Sequence, residues 1–192
     1  MSGESRIILA SQSPRRRELL AAMGISFTID VPDIVERDAA TPAETVCGLA
    51  LQKAQAVALR HPGEQALILA ADTVVYCGQI LGKPKDREDA RRMLSLLSGR
   101  WHEVYTGVCA MDAASGLQEV RAECTRVHFV PLSEPEIGRY VDTGEPIDKA
   151  GAYAIQGRAG MFIDRVEGSA SNVIGLPMAT VRELLTRLGV TL

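Results

Sequence analysis

The chain has 192 residues, 46% of them hydrophobic and 23% charged, which suits a globular protein able to bury a full core as one domain, whether elongated or made of two small lobes. Its formal net charge of -3 gives no global attraction to nucleic acid or to an anionic membrane. Any phosphate binding must therefore come from cations gathered locally.

The chain opens strand, loop, helix. Ile7 to Ala10 is a short apolar run that ends in the polar loop Ser11-Gln12-Ser13-Pro14-Arg15-Arg16-Arg17. Ser13 and Pro14 start a helix, with the Ser13 hydroxyl as N-cap and proline at the first helical position. Leu19, Leu20 and Met23 supply its apolar stripe, and Gly24 stops it. A short strand follows over Phe27 to Val31. Thr41-Pro42-Ala43-Glu44 is a capping box opening a helix whose apolar positions Val46, Leu49, Ala50, Ala54 and Val57 keep the helical period and which ends before His61-Pro62-Gly63. Leu67 to Ala71 is a continuous apolar run, as expected of a strand covered on both faces, and Val74-Val75-Tyr76 extends it beyond Asp72-Thr73. Asp86 caps a helix carrying Ala90, Met93, Leu94 and Leu97 on one face, closed by Gly99. Trp101 to Met111 and Gln118 to Val130 form two strands around a hairpin loop at Asp112 to Gly116. Ser133-Glu134-Pro135-Glu136 is a second capping box, before a helix that ends near Gly144. A glycine-rich tract from Gly151 to Gly160 leads into a strand over Met161 to Val166, and Pro177 starts a last helix that stops at Gly189. Strands alternating with helices, then a long hairpin, predict an α/β protein with a mixed sheet, in a single domain over 1–192.

Four cysteines, Cys47, Cys77, Cys109 and Cys124, are widely spaced and form no zinc pattern with His61, His102 and His128. They read as reduced thiols of a cytoplasmic protein. The N-terminus lacks the layout of a signal peptide, and no apolar run is long enough to span a bilayer.

Three features carry chemistry. Two hydroxyls, a helix N-terminus and three consecutive arginines meet in the loop Ser11 to Arg17, an arrangement that favours an oxyanion through free amides, the helix dipole and guanidinium hydrogen bonds, unless it is a solvated basic turn whose arginines only make surface ion pairs. Neighbours on a helix do not share a face, so Arg15 and Arg16, nearest its start, are the two expected to reach one ligand. Lys53 falls on the apolar stripe of its helix, where it must snorkel or find an anion. Asp72 breaks an apolar strand, and a carboxylate there needs a cation, a metal ion or hydrogen-bond donors, unless it only caps a turn at the strand end. Lys83 follows in Leu81-Gly82-Lys83-Pro84, either to neutralise leaving-group charge or as an isolated turn lysine. Glu36 lies in a polar segment that composition reads as a solvated loop, and glycines around Gln156 let backbone approach a ligand. His102 alternates with Val104 and Thr106 and reads as structural. Neither the Gly-x-x-x-x-Gly-Lys-Ser/Thr loop nor the Gly-x-Gly-x-x-Gly fingerprint is present, so another phosphate architecture is required.

The ordered set Leu9-Ala10-Ser11-Gln12-Ser13-Pro14-Arg15-Arg16, Ala71-Asp72-Thr73, Leu81-Gly82-Lys83-Pro84, Leu97-Ser98-Gly99-Arg100-Trp101-His102 and Asn172-Val173-Ile174-Gly175-Leu176-Pro177 resembles the Maf family of nucleoside triphosphate pyrophosphatases over nearly the whole chain. The resemblance implies an inosine triphosphatase-like (HAM1-like) α/β fold, two lobes around a central cleft, and hydrolysis of a nucleoside triphosphate to monophosphate and pyrophosphate with a divalent metal, Mg2+ or Mn2+. By position, Asp72 matches the family's proton acceptor, and Ser11, Arg16, Glu36, Lys53 and Lys83 match its polar cleft residues. Arg15, Thr73 and Gln156 match the positions that separate subgroups, and here look like those of the dTTP and UTP pyrophosphatases. On this reading water attacks the α-phosphorus, Asp72 accepts its proton or fixes it through the metal, Glu36 shares the metal, and Ser13 joins the phosphate contacts. The resemblance also implies a homodimer. A rival reading is a nucleotide-binding regulator of septum formation with incidental hydrolysis.

Overall fold

The computed structural model describes residues 6–35 and 39–191. Its elements in chain order are β1 (Arg6–Ala10), α1 (Pro14–Ala22), β2 (Phe27–Ile29), α2 (Pro42–Ala58), β3 (Ala66–Tyr76), β4 (Ile80–Leu81), α3 (Arg87–Leu97), β5 (Trp101–Asp112), β6 (Gln118–Phe129), α4 (Glu134–Asp142), β7 (Ile163–Glu167), α5 (Ala170–Ile174) and α6 (Met178–Arg187). Short 3-10 turns at Glu145–Asp148, Ala150–Ala152 and Arg158–Phe162 lie between α4 and β7.

The seven strands form a mixed sheet in the order β2-β1-β3-β5-β6-β7, with β4 paired to β3. β1 runs parallel to both β2 and β3, in a register that sets Ala10 against Ala70, whereas β4 is antiparallel to β3 and β7 to β6. The expected mixed α/β sheet is therefore observed. The two capping boxes are also present, Thr41 with Glu44 and Ser133 with Glu136, and Asp86 caps α3 by accepting from the Asp89 amide at 2.8 Å.

Two compact units divide the chain. The first comprises residues up to Asp72, Thr106–Glu123 and Gly175–Leu192. Its core follows directly from strand alternation. Ile7, Leu9, Leu67, Leu69 and Ala71 gather with Leu20 of α1 and Val181, Leu184 and Leu185 of α6, while Ile8, Ala10, Ala66, Ile68 and Ala70 gather with Ala50, Ala54 and Val57 of α2. Both faces of β1 and β3 are thus covered, which is why their sequences read as unbroken apolar runs. α2 comes so close to β5 that a Cβ on Gly107 would lie 2.3 Å from the Val46 carbonyl oxygen.

The second unit comprises Thr73–Tyr105 and Cys124–Ile174. Its core joins Met93, Leu94 and Leu97 of α3 to Ile137, Tyr140 and Val141 of α4 and to the aromatic set Phe129, Tyr153 and Phe162. His102 belongs to this core as a structural residue. It is 2% exposed, its Nε2 lies 2.8 Å from the Tyr153 hydroxyl, and burial lowers its pKa to about 4.

Several expectations need correction. Asp72 lies within β3, which continues to Tyr76, and so is neither a strand end nor a turn cap. The Ser13 hydroxyl makes no capping bond to α1. The strand predicted over Met161 to Val166 is Ile163–Glu167, because the residues before it close a 3-10 turn, and β2 stops at Ile29. Pro177 is the residue before α6 and not its first turn.

Candidate active site

In the first unit the parallel register pairs Ala10 with Ala70, which sets Asp72, two residues further along inside β3, near the carboxyl end of β1 that Ser11 follows. Ligand sites of α/β sheets form at that end. The side-chain period of β3 puts Asp72 on the face of Ile68 and Ala70, which is the face covered by α2. Lys53 sits on the buried stripe of α2, and its Nζ reaches Asp72 Oδ1 at 2.6 Å, with the two residues 9% and 7% exposed. The lysine out of place in an apolar stripe and the aspartate out of place in an apolar strand are thus partners. Each supplies the counter-charge the other needs at low dielectric.

The loop beyond β1 is organised by its own hydroxyl. Ser11 is 5% exposed, and its Oγ accepts from the Ser13 amide at 3.1 Å and from Arg16 Nη1 at 3.5 Å. Arg16 Nε donates to the Gly175 carbonyl at 2.8 Å, which fixes the plane of the guanidinium. Arg17 turns back to donate to the Gln12 carbonyl at 3.2 Å, and Arg15 is half-buried. Pro14 has no amide, the first turn of α1 carries no acidic residue, and Ser13 does not cap it. The first turn of α1 therefore opens without a cap from Ser13, as at helix starts that take an oxyanion.

Ser11, Ser13, Arg15, Arg16, Lys53 and Asp72 are thus brought into one unit by strands β1 and β3 and helices α1 and α2. Glu36 lies outside the described residues. Thr73, Lys83 and Gln156 belong to the second unit. Thr73 follows Asp72 on the opposite face of β3. Lys83 is exposed in the turn after β4, and Gln156 is exposed in a turn between Tyr153 and Arg158. Those two segments are joined, because the Gly151 amide donates to the Gly82 carbonyl at 3.0 Å. The Gly175 carbonyl is a participant that the side-chain reading missed, although Gly175 stands in the Asn172 to Pro177 motif. Among the described residues no group of three His, Cys, Asp or Glu side chains gathers as metal ligands.

A family model described as Maf-like protein matches residues 6–188. The chain belongs to the Maf family. Among relatives of this Maf protein, one named dTTP/UTP pyrophosphatase from Pelotomaculum thermopropionicum is 53% identical over 186 residues, covering 95% of this chain and 96% of that one. A second of the same name, from Anaeromyxobacter dehalogenans, is 52% identical over 189 residues, covering 96% and 94%. A third, from Myxococcus xanthus, is 51% identical over 192 residues, covering 98% and 95%. A solved HAM1 protein from Coxiella burnetii shares the fold, with a TM-score of 0.52, 18% identity and coverage of 95% of this chain and 98% of that one.

Proposed function

We propose that this Maf protein is a nucleoside triphosphate pyrophosphatase that hydrolyses dTTP and UTP to the monophosphate and pyrophosphate, with residues 1–192 acting as one pyrophosphatase domain. The observation that carries the reading is the buried pair of Lys53 with Asp72 inside β3, in the same unit as the loop after β1 in which Ser11 accepts from Arg16. The names of the full-length relatives support the choice of substrate.

In the proposed reaction a water oxygen forms a bond to the α-phosphorus while the bond from that phosphorus to the α,β-bridging oxygen breaks. The water proton passes to an Asp72 carboxylate oxygen, and the bridging oxygen leaves with pyrophosphate. Lys53 keeps Asp72 in place and holds positive charge next to it. Ser11, Ser13, Arg16 and the first amides of α1 take phosphate oxygens, which they can do without rearranging because the loop is already fixed by its internal hydrogen bonds. Lys83 is assigned to charge on the departing pyrophosphate. Gln156, whose amide both donates and accepts, is assigned to the pyrimidine edge, with Arg15 and Thr73 aiding selection.

One protein carboxylate together with substrate phosphates is an ordinary all-oxygen donor set for Mg2+ or Mn2+, so Asp72 fits a cation that arrives with the nucleotide, and Glu36 is assigned as its companion. When bound, the ion supplies charge neutralisation and Lewis acidity at the phosphates. Placement in the cytoplasm is part of the proposal, supported by cysteines held as thiols and not as disulfides.

The test is product analysis. Purified protein with Mg2+ or Mn2+ and a panel of canonical triphosphates is expected to convert dTTP and UTP to monophosphate and pyrophosphate in equal amounts. Release of diphosphate and orthophosphate, or turnover of purines alone, would overturn the proposal.

A further inference from the structure

We infer that Glu145 is a positioning residue for base selection, acting by holding the turn that presents Gln156. The inference rests on the assignment of Gln156 to the base. Gln156 is exposed in a tight turn closed by the Gly157 amide donating to the Ala154 carbonyl at 3.0 Å. Its flanks are anchored by apolar burial, through Tyr153 on one side and Ala159 on the other. Between those anchors a carboxylate from outside the turn also ties it down.

Glu145 stands at the start of the 3-10 turn after α4, with its own amide donating to Thr143 Oγ1 at 3.1 Å. Its Oε2 accepts from the Arg158 amide at 3.2 Å, and its Oε1 accepts from the hydroxyl of buried Tyr140 at 2.9 Å. The carboxylate thereby links α4, through Tyr140, to the residue two places after Gln156. It also fills the space above Gly157. A Cβ there would lie 2.0 Å from Glu145 Oε1. Gly157 has φ -100, a value any residue adopts, so glycine is required at this position by the carboxylate and not by the backbone. The far end of the glutamate is the part that would yield to a larger residue. Glu145, Gly157 and Tyr140 together form a prop that the base assignment alone leaves without a purpose.

A group that acts through Gln156 has a recognisable kinetic signature. It alters the preference between bases and the KM for the preferred one, and leaves the chemical step alone. The experiment measures kcat and KM with dTTP and with dATP for the unmodified protein, Gln156→Ala, Glu145→Ala, Glu145→Gln, Gly157→Ala and the double variant Glu145→Ala with Gln156→Ala. Glu145→Ala is expected to raise KM for dTTP about tenfold, with kcat changed by less than about twofold, and to lower the dTTP to dATP ratio of kcat/KM. Glu145→Gln is expected to recover most of the loss, because its amide oxygen can still accept from Arg158 and its amino group can donate to the Tyr140 oxygen. Gly157→Ala is expected to reproduce the Glu145→Ala signature by displacing the carboxylate, and so keeps the test open if Glu145→Ala fails to fold. In the double variant the ratio is expected to fall no further than in Gln156→Ala. If Gln156→Ala lowers the ratio while Glu145→Ala and Gly157→Ala leave it unchanged, or lower kcat equally for both nucleotides, the role of Glu145 is overturned and that of Gln156 stands. If Gln156→Ala itself leaves the ratio unchanged, the base assignment falls and the inference with it.

Discussion

Lys53 and Asp72 are the two residues whose chemistry contradicts their surroundings, and each was conspicuous in the sequence for that reason. A buried pair costs desolvation on both sides, so removing one member leaves an uncompensated charge. Lys53→Met is therefore expected to lower the unfolding free energy by about 3 kcal/mol, and adding Asp72→Asn to recover much of that loss, as read from urea unfolding midpoints. A destabilisation equal in the single and double variants would contradict the pairing. Arg16 differs in kind, because its Nε is committed to the Gly175 carbonyl while its Nη1 reaches Ser11 Oγ at 3.5 Å. Lysine has no planar fork to divide in this way. Arg16→Lys is expected to lower kcat/KM by about tenfold or more with unchanged thermal stability. Wild-type kinetics in Arg16→Lys would show that a point charge suffices.

Among the elements, α2 carries Lys53 to Asp72, and its seat on the sheet is set by Gly107. With a Cβ on Gly107 placed 2.3 Å from the Val46 carbonyl oxygen, either helix or strand must shift, and neither is the end of a flexible side chain. Gly107→Ala is expected to cost about 3 kcal/mol of stability and to reduce activity as well, checked by calorimetry and by turnover of dTTP. Loss of stability without any loss of activity would separate the helix seat from the site. At this scale the sequence was informative where the signals were local. Both capping boxes, the Asp86 cap, the β1 loop and the hairpin could be read because each depends on residues a few places apart. β4 has only two residues and the 3-10 turns after Gly144 have no hydrophobic period, so nothing in the sequence marks them.

For the molecule as a whole, the long-range pairings were the part hidden from sequence. Asp72 looked like a strand end because polar residues usually mark one, yet β3 continues through it, since Lys53 compensates the charge from another element. Arg16 and the Gly175 carbonyl are 159 residues apart, and a backbone acceptor leaves no trace in side-chain chemistry. Buried His102 gives the whole fold an acid limit. Burial lowers its pKa from the ordinary 6.5 to about 4, so below pH 6.5 the unfolded chain takes up a proton that the folded one refuses. The stability tied to neutral His102 is complete above pH 6.5 and is lost as pH falls toward 4, a loss of about 3 kcal/mol. Urea unfolding across that range should show the slope, and His102→Asn should reduce it. An equal slope in both proteins would place the acid sensitivity elsewhere.

Hydrolysis centred on the Lys53–Asp72 pair is tested most directly by the turnover of dTTP in Asp72→Asn, which keeps the shape and a hydrogen-bond acceptor while removing the proton-accepting charge. With folding verified by an unchanged far-ultraviolet spectrum, kcat is expected to fall by about a hundredfold or more with little change in fold. Turnover of dTTP by folded Asp72→Asn at the rate of the unmodified protein would contradict the assignment.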